Sequence, residues 1–249
     1  MIEFHDLSKS FSSQKVLISL SGKFENSKVN LIIGVSGGGK SVFLKCLVGL
    51  LPVDNGKIFY DGVPFLVDKK ENFEIKKKIG MLFQGGALFD SMNTEKNVMF
   101  PLDMFTNLKN DEKLDRVNFC LERVGLKNSN KKMPSELSGG MKKRVAIARA
   151  IVNNPKYLFC DEPNSGLDPK TSILIDELIK EITYEYKITT VVVTHDINSI
   201  ISIGDYIFFL ENSKKSWEGS SKDIISNNSE SLKKFLFSGK LTKLIFEKN

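Results

Sequence analysis

The segment that most constrains the fold is a glycine-rich loop between an apolar run and a helical run. Val29–Ile33 is apolar and β-rich, so it predicts a strand. Lys40–Leu51 has helical spacing and is followed by Pro52, which ends a helix. The loop Gly34–Ser41 reads GVSGGGKS and fits the phosphate-loop pattern G-x-x-x-x-G-K-[ST]. Strand, loop and helix in this order predict a nucleotide-binding α/β fold.

The chemistry of such a loop follows from its residue types. Glycines let backbone N–H groups turn inward around a phosphate, and the next helix adds its positive N-terminal end. Lys40 is expected to reach the β- and γ-phosphates, and the Ser41 hydroxyl to bind Mg²⁺. The predicted ATP-binding residues of this segment are Gly34, Val35, Ser36, Gly37, Gly38, Gly39, Lys40, Ser41 and Val42.

Two carboxylates follow an apolar run that predicts a buried strand, Lys156–Cys160. Asp161 at such a strand end is expected to hold Mg²⁺ through its water shell. Its neighbour Glu162 is expected to polarise the water that attacks the γ-phosphate. The alternative reading of this short string is a pair of acids that opens a loop.

Three isolated residues are further candidates. Gln84 follows the predicted strand Ile79–Phe83, where its amide is a candidate Mg²⁺ ligand; the alternative is a solvated loop residue. His195 follows the predicted strand Thr189–Val193 and is a candidate contact to the γ-phosphate, although a lone histidine there is usually structural. Phe11 is a candidate for stacking on adenine, with a buried core phenylalanine as the alternative.

A second anion-binding element lies downstream, in the segment Leu137–Arg144, which reads LSGGMKKR. Ser138, Gly139 and Gly140 open a predicted helix, Ser138–Asn154, whose free N–H groups and dipole attract an anion. One nucleotide rarely needs two phosphate-binding elements from the same chain. The economical arrangement is two chains placed head to tail, each offering its Gly139 region to the γ-phosphate bound by the other.

Strands alternate with helices along most of the chain, which predicts an α/β fold with a largely parallel sheet. Ile2–Phe4 and Lys15–Ile18 are interpreted as short edge strands. Residues 1–230 are expected to form one domain, with a helical insertion at about 85–150 and a basic amphipathic tail at 231–249. The other predicted elements are strands at Lys57–Tyr60, Tyr206–Glu211 and Lys214–Trp217, and helices at Asp111–Val124, Pro169–Tyr186 and after Asp196.

Composition excludes several classes of protein. No window has 18 consecutive apolar residues, and the N-terminus lacks the pattern of a secretory signal, so neither a membrane span nor a leader is expected. Three widely spaced cysteines, Cys46, Cys120 and Cys160, fit a reducing cytosol and are interpreted as small buried residues. The net charge of +6 suits nucleic acid or an anionic membrane, but it is also common in plain enzymes.

Taken together, these motifs resemble the ATP-binding cassette family over roughly residues 1–225. In order along the chain they are Phe11, the Walker A loop Gly34–Ser41, Gln84, the signature Leu137–Gly140, the Walker B Asp161, the catalytic-position Glu162, the D-loop Ser165–Asp168 and the switch histidine His195. The resemblance implies a P-loop NTPase of RecA-like type, with a mostly parallel sheet, an antiparallel β edge subdomain and an inserted α-helical subdomain. It also implies a homodimer that sandwiches ATP, with Mg²⁺, between Walker A of one subunit and the signature of the other.

A finer likeness points to the MlaF-type branch of this family. It is carried by Gly39–Val42, Gly80–Met92, Asn97–Leu102, the LSGGM segment that ends at Met141, and Asp161–Asp168. The resemblance implies a peripheral ATPase at the cytoplasmic face of the inner membrane that powers phospholipid transport. The implied partners are an MlaE-like permease, an Mce-domain protein and a small regulatory protein, with no nucleic acid. The segment Gly86–Pro101 is expected to contact the permease through Ala87, Leu88, Phe89 and Phe100; the alternative is that these residues fill the small core of the helical insertion.

Two departures and two alternatives accompany this interpretation. Asn164 replaces a common Thr, and Met141 replaces the more general signature Gln, but neither removes a catalytic carboxylate. A nucleic-acid-associated cassette fits the charge, yet the chain has no long coiled-coil insertion; a cell-division ATPase has the same motifs. A candidate docking stripe in the tail comprises Phe235, Leu236, Leu241, Leu244, Ile245 and Phe246.

Overall fold

The computed structural model describes residues 1–65, 72–226 and 229–236. Within these ranges strands and helices alternate, which confirms the predicted α/β class. The chain divides into two compact units. The first comprises Met1–Val67 with Val193–Asn249, and the second comprises Asp68–Val192.

The first unit contains an antiparallel sheet and a second group of strands. The sheet is formed by β1 (Ile2–Phe11), β2 (Gln14–Phe24), β4 (Asn55–Tyr60) and β5 (Val63–Phe65), in the order β2-β1-β4-β5. The second group is β3 (Val29–Ile33), which pairs in parallel with β9 (Tyr206–Glu211), and β10 (Lys214–Ser220), which pairs antiparallel with β9. The helices of this unit are α1 (Lys40–Leu47), α7 (Ile197–Ile203), α8 (Ser221–Ser226) and α9 (Glu230–Leu236).

The prediction that Ile2–Phe4 forms a short edge strand is wrong. β1 is 10 residues long and lies between β2 and β4. Asp6 adopts a left-handed backbone with φ of 53°, and the pairing of β1 shifts between Phe4 and Leu7. Such a bulge breaks the period-two alternation by which a strand is recognised in a sequence. Only the first three residues of β1 were therefore predicted as strand.

Four phenylalanines form the centre of the first unit. Phe4 lies 5.0 Å from Phe43, 5.3 Å from Phe24 and 5.6 Å from Phe208, measured between ring centroids. All four side chains are buried, and they come from β1, β2, α1 and β9. Edge-to-face and tilted pairs of this kind add stability beyond area burial. The cluster therefore fixes the position of α1, and with it the end of the loop that precedes α1.

The second unit combines strands with most of the helices. Its strands are β6 (Ile79–Leu82) and β7 (Tyr157–Asp161), which are parallel, and β8 (Thr189–Val193), which begins in this unit; β7 lies between β8 and β6. Its helices are α2 (Phe73–Lys76), α3 (Thr94–Phe105), α4 (Asn110–Arg123), α5 (Gly139–Ile151) and α6 (Pro169–Glu185), with a 3₁₀ turn at Pro134–Glu136. Every residue of β7 and β8 is buried, which explains their continuous apolar sequences.

The helices α3, α4 and α5 lie in the segment predicted as a helical insertion, and its assignment as an inserted subdomain stays a prediction. Helix α3 itself was not predicted. Pro101 lies inside it, and a proline normally signals the end of a helix. The start of α3 is fixed by the Asn93 side chain, which accepts a hydrogen bond of 2.9 Å from the backbone N–H of Lys96.

The beginning of the predicted tail packs within the first unit. Leu232 and Leu236 of α9 are buried, and the Phe235 ring lies 5.4 Å from the ring of Phe209. Phe235 and Leu236, two members of the candidate docking stripe, thus contact their own chain. The other four members, Leu241, Leu244, Ile245 and Phe246, lie outside the described residues.

The three cysteines are buried. Burial raises the thiol pKa of both Cys46 and Cys120 to about 11, so these two thiols are not nucleophiles near neutral pH. Across the part of the chain that the structure describes, no helix combines the length and apolar character that crossing a bilayer requires.

The aromatic cluster predicts a large loss of stability when its central ring is removed. We expect Phe4→Ala to lower the free energy of unfolding by about 3–5 kcal/mol, because it leaves a cavity among three other rings. Phe119→Ala is the matched control, since Phe119 of α4 is 48% exposed. Urea denaturation followed by circular dichroism measures both, and equal losses in the two variants would contradict the packing described above.

Candidate functional site

The loop Gly34–Ser41 has a shape that only glycine permits at two positions. Gly34 has φ of 150°, and a Cβ atom there would lie 2.2 Å from the backbone oxygen of Leu210. Gly39 has φ of 94°, and its Cβ would lie 2.8 Å from the backbone oxygen of Val16. The loop is therefore folded closely against β9 and β2, which leaves its backbone N–H groups in a fixed arrangement.

Lys40 lies across this loop. It is the first residue of α1 and is buried, and its Nζ donates hydrogen bonds to the backbone oxygens of Gly34 (3.0 Å) and Val35 (2.9 Å). A positive charge at the start of a helix, above a loop of N–H groups, attracts an anion. Val35, Ser36 and Gly37 form the exposed side of the loop, while Ser41 and Val42 lie half-buried at the start of α1. The residues present thus fit a phosphate group.

The first unit also contains Phe11 and His195. Phe11 is 44% exposed at the end of β1, and the Nζ of Lys9 lies 5.6 Å from its ring centroid, so the alternative of a buried core residue is removed. His195 is exposed, and the residue before it, Thr194, donates its N–H to the backbone oxygen of Ile32 at 3.2 Å. The residue before His195 therefore lies beside the carboxyl end of β3, where the phosphate loop begins. Their contacts with a nucleotide stay predictions.

In the second unit, strand pairing brings Gln84 to Glu162. Leu82 of β6 is paired with Cys160 of β7, so the residues two positions after this pair, Gln84 and Glu162, lie close together. The Gln84 Nε2 donates a hydrogen bond of 3.0 Å to the Glu162 Oε2. Glu162 has a left-handed backbone with φ of 46°, a conformation that costs about 1–3 kcal/mol in a residue other than glycine and is concentrated at functional sites.

Asp161 is the last residue of β7 and is 4% exposed. Among the described residues, no group of three or more His, Cys, Asp or Glu side chains is placed to hold a metal ion. A buried carboxylate such as Asp161 suits Mg²⁺, because this ion is usually held by one or two carboxylates together with water and substrate phosphates. The carboxylate of Asp161, the hydroxyl of Ser41 and the amide of Gln84 are oxygen ligands that suit this ion, and their assignment stays a prediction.

Two buried cations of α5 hold the loop that begins at Gln84. Lys143 Nζ donates to the backbone oxygen of Gln84 and lies 3.5 Å from that of Glu162. Arg149 donates to the backbone oxygens of Gly86 (2.6 Å) and Ala87 (2.7 Å). Burial lowers the pKa of both side chains, and the nearby Glu162 and Asp161 oppose the shift of Lys143. The sequence analysis did not identify these two residues, although basic residues on both sides of the apolar run Val145–Ala148 of a predicted helix were an available signal.

The signature segment forms the start of α5. The Ser138 Oγ accepts a hydrogen bond of 3.3 Å from the N–H of Met141 and caps the helix. Gly140 has no room for a side chain, because a Cβ there would lie 2.7 Å from the Thr171 Cγ2. Beside the helix start is an open hollow of about 390 Å³, lined by Ser138, Gly139, Gly140, Met141, Arg144, Gly166, Leu167, Asp168 and Thr171. The hollow combines helix N–H groups with an arginine, which suits an anion.

The loop between Gln84 and α3 is organised by one buried amide. The Asn97 side chain accepts the N–H of Phe89 (2.8 Å) and donates to the backbone oxygens of Phe89 (3.1 Å), Met92 (2.8 Å) and Asn93 (3.1 Å). On the outer side of this loop Phe89 is 40% exposed, and its ring lies 4.9 Å from that of Phe100. The interior of the loop is thus polar and fixed, while its surface is aromatic.

Comparison with known proteins places this arrangement in a family. A family model described as ABC transporter matches residues 17–165, which is more than half of the chain. The chain belongs to the ABC transporter family. Its resemblance to this family, including MlaF-type members, is confirmed by the relatives described next.

Several curated ABC transporter proteins are similar to this one. The probable ribonucleotide transport ATP-binding protein mkl of Mycobacterium leprae is 42% identical over 205 residues, covering 82% of this chain and 59% of the relative. The chain therefore spans little more than half the length of the mkl relatives. MetN, a methionine import ATP-binding protein of Clostridium tetani, is 42% identical over 95% of this chain and 74% of the relative. MlaF, the ATP-binding protein of the intermembrane phospholipid transport system of Haemophilus influenzae, is 36% identical over 95% of this chain and 90% of the relative.

Solved ABC cassettes have the same fold. The dimeric structure of the ABC transporter cassette MJ0796 is 31% identical, with a TM-score of 0.81, and the match covers 89% of this chain and 99% of the cassette. The structure of cbiO1 from Clostridium perfringens, part of the ABC transporter complex cbiONQ, is 29% identical with a TM-score of 0.83 and covers 98% of both chains. The predicted P-loop NTPase class is thereby confirmed.

The phosphate loop predicts that this ABC protein loses ATP affinity when Lys40 is truncated. We expect Lys40→Ala to raise the Kd for Mg·ATP by about 10- to 100-fold, because one charge-assisted contact to phosphate is lost. Lys45→Ala, on the same helix, is the matched control. Isothermal titration calorimetry measures both affinities, after a thermal melt confirms folding. Wild-type affinity in Lys40→Ala would remove the loop from the nucleotide-binding site.

Proposed function

We propose that this chain is an ATP-hydrolysing subunit of a membrane transporter. The observation that carries the hydrolytic role is the pairing of Gln84 with Glu162 at the ends of two parallel strands, 3.0 Å apart. The carboxyl ends of such strands are where α/β proteins bind ligands. The glycine-dependent loop that carries Lys40 supports nucleotide binding, and the solved structure of MJ0796 with bound ADP and phosphate has a TM-score of 0.81.

Each group of residues has a distinct task in this proposal. The loop N–H groups and Lys40 bind and orient the β- and γ-phosphates, and Phe11 stacks on the adenine. Asp161, Ser41 and Gln84 hold Mg²⁺, which when bound neutralises charge on the phosphates. Glu162 orients the attacking water from its half-buried position, and His195 contacts the γ-phosphate. Orientation of water by a carboxylate depends on position more than on an unusual pKa.

Two chains act together in the proposed cycle. The signature residues Ser138, Gly139 and Gly140 of one subunit engage the γ-phosphate held by Lys40 of the other. The hollow beside α5, with its helix N–H groups and Arg144, supports this role because it lies at the surface of the chain and suits an anion. The dimeric structure of the MJ0796 cassette supports the same assembly. The homodimer thus forms two ATP sites.

The proposed role of Glu162 predicts a specific loss. In Glu162→Gln we expect ATP turnover to fall by about 100-fold or more, because an amide cannot accept a proton from water. The Kd for ATP is expected to stay close to that of the wild type, and the bound ATP to hold a dimer detectable by light scattering. Glu177→Gln on α6 is the control, because it makes the same change of charge at an exposed position. Undiminished turnover in Glu162→Gln would contradict the proposed chemistry.

For the cargo, we propose phospholipid, moved through an MlaE-like permease with an Mce-domain protein. The supporting observation is reciprocal coverage: the match to MlaF of Escherichia coli spans 95% of this chain and 88% of the relative. In this proposal the chain lies at the cytoplasmic face of the inner membrane as a peripheral subunit, and a small regulatory protein joins the complex. The second candidate is import of a small solute such as methionine, because MetN has the higher identity of 42%.

Contact with the permease is assigned to the loop surface around Phe89, together with Ala87, Leu88 and Phe100. Phe89 is 40% exposed on a loop whose shape Asn97 fixes from inside, and its ring packs on that of the half-buried Phe100 of α3. Exposed aromatic patches mark protein contacts more often than isolated apolar residues do. An apolar segment of a permease would bury this pair.

A pull-down from native membranes tests both cargo and contact. From mild detergent we expect the tagged chain to recover an MlaE-like permease, an Mce-domain protein and phospholipid, identified by mass spectrometry. Phe89→Asp is expected to lower permease recovery by about tenfold or more, because a charge is placed in an apolar contact. Phe119→Asp, at a similarly exposed phenylalanine of α4, is the control. Recovery of an amino-acid permease instead would replace the lipid proposal with the second candidate.

A further inference from the structure

Helix α5 joins two places that the proposed function uses separately. Its N-terminus carries the signature residues Ser138 to Gly140, and Lys143 lies about one helical turn further along. The far end of the helix is fixed as well: a Cβ added to Gly80 of β6 would lie 2.2 Å from the backbone oxygen of Ala150. Helix and strand are thus in direct backbone contact, and Lys143 extends from a helix that is anchored to β6.

The Lys143 ammonium reaches both loops of the proposed hydrolytic centre. It donates to the backbone oxygen of Gln84 and lies 3.5 Å from the backbone oxygen of Glu162. The Gln84 and Glu162 side chains pair with each other at 3.0 Å. One cation therefore connects the two loops through their main chains, directly behind the side chains that pair.

Because the Lys143 ammonium is buried, its hydrogen bonds to the two loops are important for stability. Lys143 is 5% exposed, and a buried charge is costly unless hydrogen-bond acceptors compensate it. Backbone oxygens of two loops supply that compensation, so separation of the loops would leave the ammonium short of an acceptor. Because Glu162 has a left-handed backbone, a contact at its own carbonyl also helps to hold that conformation.

We propose that Lys143 is a positioning residue for ATP hydrolysis, which holds the Gln84 and Glu162 loops at the separation their side chains need. It acts through the positions of Gln84 and Glu162, which the proposed function assigns to the reaction. This role rests on the proposed function, because it presupposes that Glu162 orients the attacking water. The competing explanation is a purely structural lysine that stabilises the unit as a whole.

Three variants separate these explanations. Lys143→Met removes the charge at nearly constant volume, Lys143→Arg keeps a cation with several donors, and Lys127→Met makes the same change of charge at an exposed lysine of the second unit. We expect Lys143→Met to lower kcat by about 10- to 100-fold with the KM for ATP changed by less than about threefold, since small misplacements of reacting groups cost this much. Lys143→Arg is expected to restore kcat to within about threefold of the wild type, and Lys127→Met to leave it unchanged.

Hydrogen exchange on the full chain without nucleotide provides a second readout. In Lys143→Met, backbone amides at 84–87 and 162–165 are expected to exchange faster by about tenfold, while those of α4 and α6 keep wild-type rates. Uniformly faster exchange across the second unit would support the purely structural explanation and overturn the proposal. If Lys143→Met does not fold, Lys143→Gln takes its place, because its shorter neutral amide also loses the double contact.

The two possible failures are distinguishable. Absence of ATP turnover in the wild type contradicts the proposed function and leaves the exchange measurement interpretable. If a folded Lys143→Met variant keeps wild-type rates of amide hydrogen exchange in both loops, the positioning role is contradicted, whatever its rate of ATP turnover. Loss of activity in Lys143→Arg equal to that in Lys143→Met would also overturn the proposal, because a guanidinium can donate to both carbonyls.

Discussion

The parallel pairing of β6 with β7 is the constraint on which the second unit depends. Two fully paired parallel strands end at the same edge, so their following residues are brought together without any special sequence between them. The Gln84–Glu162 hydrogen bond, the buried Asp161 and the reach of Lys143 to both loops all follow from that register. A shift of one residue would turn every β7 side chain to the opposite face of the strand and separate the pair.

In the first unit, side-chain packing rather than strand register fixes the position of the candidate site residues. Its aromatic cluster fixes α1, and the close approach of Gly34 and Gly39 to neighbouring backbone fixes the loop that precedes the helix. The loop N–H groups are therefore arranged by packing, before any ligand contributes. A site organised in advance loses less conformational entropy on binding, which raises affinity without additional contacts. Each unit thus has its own source of rigidity for the residues assigned to it.

Buried apolar segments were the part of the fold that sequence predicted best. Val29–Ile33 and Thr189–Val193 coincide with β3 and β8, because strands buried on both faces read as continuous apolar runs. The prediction of the bulged β1 was incomplete, and the proline-containing α3 was not predicted. Both elements break the sequence periodicity by which strands and helices are recognised. Candidate site residues on recognisable motifs could be predicted from the sequence, and their roles stay predictions. The roles of Lys143 and Arg149 were not predicted, because both side chains donate to backbone oxygens of a loop distant in sequence. Every residue has a backbone oxygen, so residue types do not reveal such contacts.

The buried amide of Asn97 has a consequence for how such a protein diversifies. Because four hydrogen bonds from one interior side chain set the path of the loop from Phe89 to Asn93, the residues on its outer surface contribute little to that path. Substitutions at Phe89 or Phe100 can therefore accumulate without a new backbone having to evolve. The buried Asn97 thus keeps the shape of the loop, while exposed residues such as Phe89 can change by single substitutions.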